Sequence, residues 1–264
     1  MKSILVTGAA GGMGRATVDL LVKKGYRVVA LDKVSCEARE NVVPIALDLT
    51  DETSVKEAFE RISSETRELC GILHLAGIYL LDSLVELSPD AFERAFSVNL
   101  GAAFLVNKTF LPLLQQGAKI VHVTSELAVR DPLPFTGLYG VTKAALDRYA
   151  YSLRMELQLK EIPVSVLRAG AVDTGMISVS TAQLDTFCEN TKLYSCNAKR
   201  FKKIVDSVEA RRVPPEKVAK KLLRILAKKK PRFAYALNRN PLLILFDCLP
   251  KSLRFFLIRK ILAD

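Results

Sequence analysis

Tyr139 and Lys143 stand four residues apart in the stretch GLYGVTKAALD, residues 137–147, which has the make-up of the opening turns of a helix. At that spacing a phenol and an ammonium share one helix face. A phenol with its ordinary pKa of about 10 is a poor base at neutral pH. A neighbouring ammonium favours the phenolate and brings the group into range for proton transfer. Two further polar side chains stand beside apolar elements: Ser125, directly after an apolar stretch of strand length, and Asn99, inside a helical pattern. Each has a plain structural reading, since serines cap turns and a helical Asn bonds back to its own backbone. The two histidines, His74 and His122, both fall within apolar strand-like runs, which suits a core role better than a catalytic one. Taken alone, Tyr139 and Lys143 read as a surface contact.

The elements that must position these groups alternate. Strands are predicted over 3–8, 27–32, 42–49, 71–77, 119–125 and 163–170. Helical patterns run over 13–24, 52–68, a long stretch opened by Ser88-Pro89, and 139–159. Ser as N-cap followed by Pro at the first helical position marks a helix start. Continuous apolar strands separated by helices indicate parallel strands buried on both faces, hence a doubly wound α/β sheet in a single domain spanning 1–264. No internal repeat and no linker interrupts it.

The stretch TGAAGGMG, residues 7–14, lies between the first strand and the first helix. Glycines there permit a tight turn and close approach of backbone to a pyrophosphate at the positive end of the helix. Asp32 ends the second strand, where a carboxylate accepts ribose hydroxyls and repels a 2′-phosphate. This favours NAD over NADP, with the adjacent Lys33 as a counter-signal. Asp48, ending the third strand, is placed to meet the adenine.

With these motifs in order, the chain resembles the short-chain dehydrogenases/reductases over at least residues 3–176. The matching positions are Thr7, Gly8, Gly12 and Gly14; Asp32; the pair Asp48-Leu49; Asn99; Ser125; Tyr139 and Lys143; and Gly170, Val172 and Thr174 in the turn after strand six. The resemblance implies a Rossmann fold and an NAD(P)-dependent alcohol dehydrogenase or ketone reductase of the shorter branch. It casts Tyr139 as general acid/base, with Lys143 lowering its pKa and binding the nicotinamide ribose. Ser125 would contact the substrate oxygen, and Asn99 would hold a water linking Lys143 to solvent. It also places Met13, Lys33, Ala76 and Gly77 at the cofactor, and implies a homo-oligomer. Two departures stand out. The usual NNAG after strand four is His74-Leu75-Ala76-Gly77, and Ala169 replaces the usual proline before Gly170, which is expected to loosen that turn.

The segments that flank the substrate cleft in this fold, 126–138 and 175–187, are rich in Leu, Val, Phe, Met and Ile. Leu127, Phe135 and Met176 join Ser125 and Tyr139 as candidate substrate contacts. Their character favours a bulky apolar alcohol or ketone, similar to the substrates of hydroxysteroid and retinol dehydrogenases. Residues 178–212 have weak periodicity and are expected to form a mobile lid. The alternative is a regulatory or scaffold protein that binds the cofactor and has lost the chemistry; the intact set of four argues against it.

The net charge of +11 is uneven. Residues 1–198 hold 20 basic and 23 acidic side chains, whereas 199–264 hold 19 and 5. The last quarter divides into a basic helix over 216–230, a strand-like piece over 232–238 and an apolar, basic helical extension over 241–264. Covering the cleft or a subunit interface is its first reading, a membrane surface its second. Nucleic acid is discounted, since no recognition motif accompanies the charge. Five scattered cysteines without metal-ligand spacing, an N-terminus that reads as a strand and the lack of a long apolar run together suggest a cytoplasmic protein, peripheral to a membrane at most, with no metal.

Overall fold

The computed structural model describes residues 1–207 and 212–263; residues 208–211, inside the expected lid, and Asp264, at the end of the extension, lie outside the described residues. Among the described residues a parallel sheet of seven strands runs in the order β3-β2-β1-β4-β5-β6-β7. The strands are β1 Ser3–Thr7, β2 Arg27–Asp32, β3 Val42–Ala46, β4 Leu69–His74, β5 Leu114–Ser125, β6 Val164–Ala169 and β7 Ala234–Leu237. β1 and β6 are almost wholly buried, as expected of strands covered on both faces. The order reverses between β1 and β4, so the crevice beyond their carboxyl ends is the topological switch point where ligands bind in such sheets.

Helices α1 Gly12–Lys23 and α8 Pro215–Leu226 cover one face, and α2 Glu52–Glu65, α4 Ala102–Phe110 and α5 Gly137–Leu157 the other. α8 turns Val218, Ala219, Leu222 and Ile225 inward; Lys217 and Lys220 face solvent, and Lys221 lies over the Tyr235 ring at 5.7 Å. Ser88 caps α3 Pro89–Phe96 by accepting the Ala91 N–H. The long central helix is interrupted: a π-helical turn over Ser97–Gly101 separates α3 from α4, and Asn99 lies in it.

The structure refines three expectations. β3 stops at Ala46, so Asp48 lies beyond the strand rather than ending it. The weakly periodic 178–212 region contains two helices, α6 Gly175–Asn190 and α7 Ser195–Ser207. They join α10 Lys251–Leu262 in a third apolar cluster outside the sheet, built on Leu81, Leu184, Phe187, Phe201 and Leu262. The turn after β6, where Ala169 stands in place of the usual proline, is tied on two sides: Gly170 N–H donates to the Leu237 carbonyl of β7, and Val213 N–H, ahead of α8, to that of Ala171.

Candidate active site

Tyr139, Lys143 and Asp147 recur every fourth residue, on one face of α5. Asp147 sets that face against the sheet, since it accepts from Arg168 Nε at 2.9 Å and Nη2 at 2.7 Å and from Thr124 Oγ1 at 3.3 Å. With its partner on β6, this ion pair fixes the rotation of the helix and carries Lys143 into the interior, where it is buried. Tyr139 keeps part of its surface open. The Lys143 Nζ lies 5.7 Å from the Tyr139 ring centroid, over the ring.

Ser125 ends β5 and is buried; its Oγ accepts the Leu127 N–H at 3.1 Å, capping the short turn that follows. The same hydroxyl bonds the Tyr139 phenol and favours its ionised form. Burial nevertheless dominates, pushing Tyr139 up to about 12 and Lys143 down to about 8. Desolvation is the largest cause of the shift in both groups.

The buried amide of Asn99 clamps the loop after β4: Oδ1 accepts Ile78 N–H at 2.8 Å, while Nδ2 donates to Ile78 O and Thr142 Oγ1, both at 3.0 Å. A Cβ on Gly77 would lie 3.0 Å from both Asn99 Oδ1 and Lys143 Nζ, so the three residues meet. The π-helical turn is what brings Asn99 to this point, a device common at functional sites.

The glycine turn borders the same crevice. Gly8 has φ +69°, and a Cβ there would fall 2.5 Å from Ala76 N. Gly14 packs so tightly on the start of the turn that a Cβ would meet Gly8 O at 2.0 Å. Opposite, Gly12 faces the Thr174 side chain from the β6 turn, with Met13 behind it against the core. Asp32 is held by Ala10 N–H on Oδ2 at 2.9 Å and Val34 N–H on Oδ1 at 3.1 Å, beside the turn. This cradle of bare backbone at a helix N-terminus with a carboxylate beside it fits a dinucleotide. Lys33 pairs with Asp48 at 2.9 Å, and Thr50 also donates to Asp48, which lowers that carboxyl to about 2. Both groups thus have partners within the chain. Leu49 is a core residue, and Val172 is buried beside Val213.

Above Tyr139 lies the apolar cluster. Phe135 packs on Phe187, Tyr194 and Phe201 at centroid distances of 4.7, 5.4 and 5.5 Å. Its φ of +64° is costly for an aromatic residue, by about 1–3 kcal/mol, and such strain gathers at functional sites. Leu127 and Met176 are half-buried. Sequence reasoning missed Tyr79, whose ring lies 4.8 Å from that of Tyr139, and Gln183, which pins Tyr79 and Leu81 to α6. The available signal was position, since Tyr79 follows directly on the loop after β4. In place of the absent asparagines, His74 bonds Asn107 at 2.8 Å and stacks on His122 at 4.4 Å.

Residues 2–185 match the family model described as short chain dehydrogenase. The chain is 32% identical over 177 residues to 2,3-dihydro-2,3-dihydroxybenzoate dehydrogenase of Escherichia coli (strain K12), covering 66% of this chain and 71% of that protein. It is 25% identical to the 3-ketodihydrosphingosine reductase of Bacteroides thetaiotaomicron, over 87% of this chain and 85% of the relative. Among solved structures, 3-ketoacyl-(acyl-carrier-protein) reductase from Brucella melitensis, complexed with NADH, superposes with a TM-score of 0.73 at 20% identity, over 89% of this chain and 95% of that one. A short chain dehydrogenase from Burkholderia cenocepacia J2315, in complex with NADP, gives 0.72 at 21% identity over the whole of both chains. At such identities these likenesses show the fold, and the family match carries the kinship: this chain belongs to the short-chain dehydrogenase/reductase family of oxidoreductases, which bind a nicotinamide cofactor.

Proposed function

We propose that this chain interconverts a hydrophobic secondary alcohol and its ketone, with NAD as the favoured cofactor. The observation that carries the reading is the meeting of Ser125, Tyr139, Lys143 and Asn99 beneath an apolar, aromatic cover and beside the glycine turn. When bound, the nicotinamide supplies the acceptor or donor of hydride. The chain's own residues handle the proton. Ser125 Oγ donates to the substrate oxygen and steadies charge developing there. Tyr139 Oη takes the hydroxyl proton in oxidation and returns it in reduction. Lys143, as the ammonium, stabilises the phenolate, and Asn99 with Gly77 holds it in place.

A steroid-, retinoid- or lipid-like substrate is supported by Tyr79, Leu81, Phe135, Leu184 and Phe187 over the site, and by the likeness to a reductase named for a sphingoid ketone. NAD is supported by the placement of Asp32 and by the pairing of Lys33 with Asp48. Pairing of subunits is supported by Phe104, Val141, Tyr151 and Met155, which stand exposed on α4 and α5.

The test is Tyr139→Phe, assayed by nucleotide absorbance against steroid, retinoid and fatty alcohols and ketones. The variant is expected to lose about 100- to 10,000-fold in kcat while binding nucleotide as the wild type does. Unchanged turnover would overthrow the assignment. NADPH bound as tightly as NADH would remove the cofactor preference.

A further inference from the structure

The C-terminal extension has one face committed to the body of the protein and another that is not. On its inner side Asn240 N–H donates to Glu126 Oε2 at 2.8 Å, and Arg130 pairs with Asp247. Arg254 reaches Asp131 at 3.0 Å, and Asn197 donates to the Leu262 carbonyl at 2.6 Å. These contacts fix how α9 Pro241–Asp247 and α10 are turned, so their outer side chains cannot fold back onto the core. That outer side carries Leu245 at 67% exposure, Phe255 at 70% and Phe256 at 58%, with Leu242 also in water. On a helical projection of α10, Arg259 and Lys260 interleave with Phe255 and Phe256 on the exposed arc. Neither cation has an acidic partner among the described residues.

We infer that this face docks on an anionic lipid bilayer, the phenylalanines entering the boundary between headgroups and chains and Arg259 and Lys260 meeting the headgroups. Exposed aromatic side chains held rigidly in water mark an interaction surface. Cations set among them match an anionic interface. A second copy fits less well, because a two-fold contact sets the same patch against itself and would bring Arg259 and Lys260 toward their own copies with no acid between. No helix among the described residues is long and apolar enough to cross a membrane, so the contact is peripheral. The inference stands apart from the catalytic reading, since its assay measures binding alone.

The experiment is flotation of the full chain with phosphatidylcholine vesicles, with and without phosphatidylserine. The chain is expected to float with the anionic vesicles, to remain behind with phosphatidylcholine alone and to be released by salt. Arg259→Ser with Lys260→Ser lowers affinity for anionic vesicles on the order of 30-fold. Phe255→Ser with Phe256→Ser lowers it by about 100-fold. Both variants are expected to keep the wild-type circular dichroism and nucleotide binding, because the replaced side chains lie in solvent. Failure to float, equal recovery with both vesicle types, or wild-type binding by either variant would overturn the inference. A dimer in sedimentation that the phenylalanine variant splits would assign the face to a second copy instead. Polyglutamate binding that matches vesicle binding and ignores the phenylalanines would assign it to an acidic protein.

Discussion

Lys143→Met separates what the site needs from what the fold prefers. Burial lowers the Lys143 ammonium from 10.5 to about 8. At 1.36 kcal/mol per pH unit, that displacement corresponds to roughly 3 kcal/mol of stability forfeited at neutral pH to keep the charge inside. The folded pKa lies below the unfolded one, so between about pH 8 and 10.5 the unfolded chain holds the proton that the folded chain has released. Stability from this group therefore rises with pH across that window and is lowest below it. Methionine has similar length and no charge. The variant should be more stable than wild type at neutral pH by roughly 3 kcal/mol, or about 6–12 °C in Tm for a chain near this size. That advantage should fade as pH passes through 10.5. Urea unfolding of both proteins at neutral pH and above pH 10.5, with catalytic activity measured in parallel, reads the two effects together. A variant that is less stable than wild type at neutral pH, or an advantage unchanged by pH, would refute the reasoning. Activity should fall in either case, which is the stability–function exchange expected at a charged, buried site.

Two other outcomes are expected. Asp32→Ala removes the carboxylate beside the glycine turn and should weaken NADH binding by about 10- to 100-fold while narrowing the gap to NADPH, as read by fluorescence titration. His122 is wholly buried, and neither ring nitrogen has a hydrogen-bond partner among the described residues. His122→Phe keeps the stack on His74 and should raise stability at neutral pH by about 1–3 kcal/mol in urea. Both imidazoles are depressed by burial, His74 to about 4 and His122 well below its ordinary value, so their contribution is present above pH 6.5 and lost as pH falls toward 4. The variant should show a shallower acid decline.

The sheet was legible because its strands are buried on both faces and therefore read as unbroken apolar runs. The glycine turn was legible because Gly8 and Gly14 stand where a Cβ would strike backbone, a demand that only one residue type meets. Tyr139 and Lys143 were legible as types and spacing, but their electrostatics were not. Whether an ammonium lowers a phenol's pKa depends on how far both are desolvated, and that follows from the packing of α5 on β6 through Asp147 and Arg168, a pair 21 residues apart in sequence. The 178–212 region read as weakly periodic because α6 and α7 have their apolar partners in one another and in α10, so no regular stripe faces the sheet.

The tail shows the same limit from the other side. Its excess charge was plain in the sequence, yet charge alone did not distinguish a solvated face from a contact. The structure divides the cations by what surrounds them. Lys217 and Lys220 of α8 face solvent over a helix whose apolar side is buried. Arg254 is nearly buried and, with Arg130 and Asp247, ties α10 to the loop that begins at Ser125. Arg259 and Lys260 sit among exposed phenylalanines. One basic segment thus divides into solvated cations, an anchor and the proposed lipid contact, and the anchor reaches the stretch that follows Ser125: Arg254 of α10 pairs with Asp131, and Asn240 N–H, just ahead of α9, donates to Glu126 Oε2.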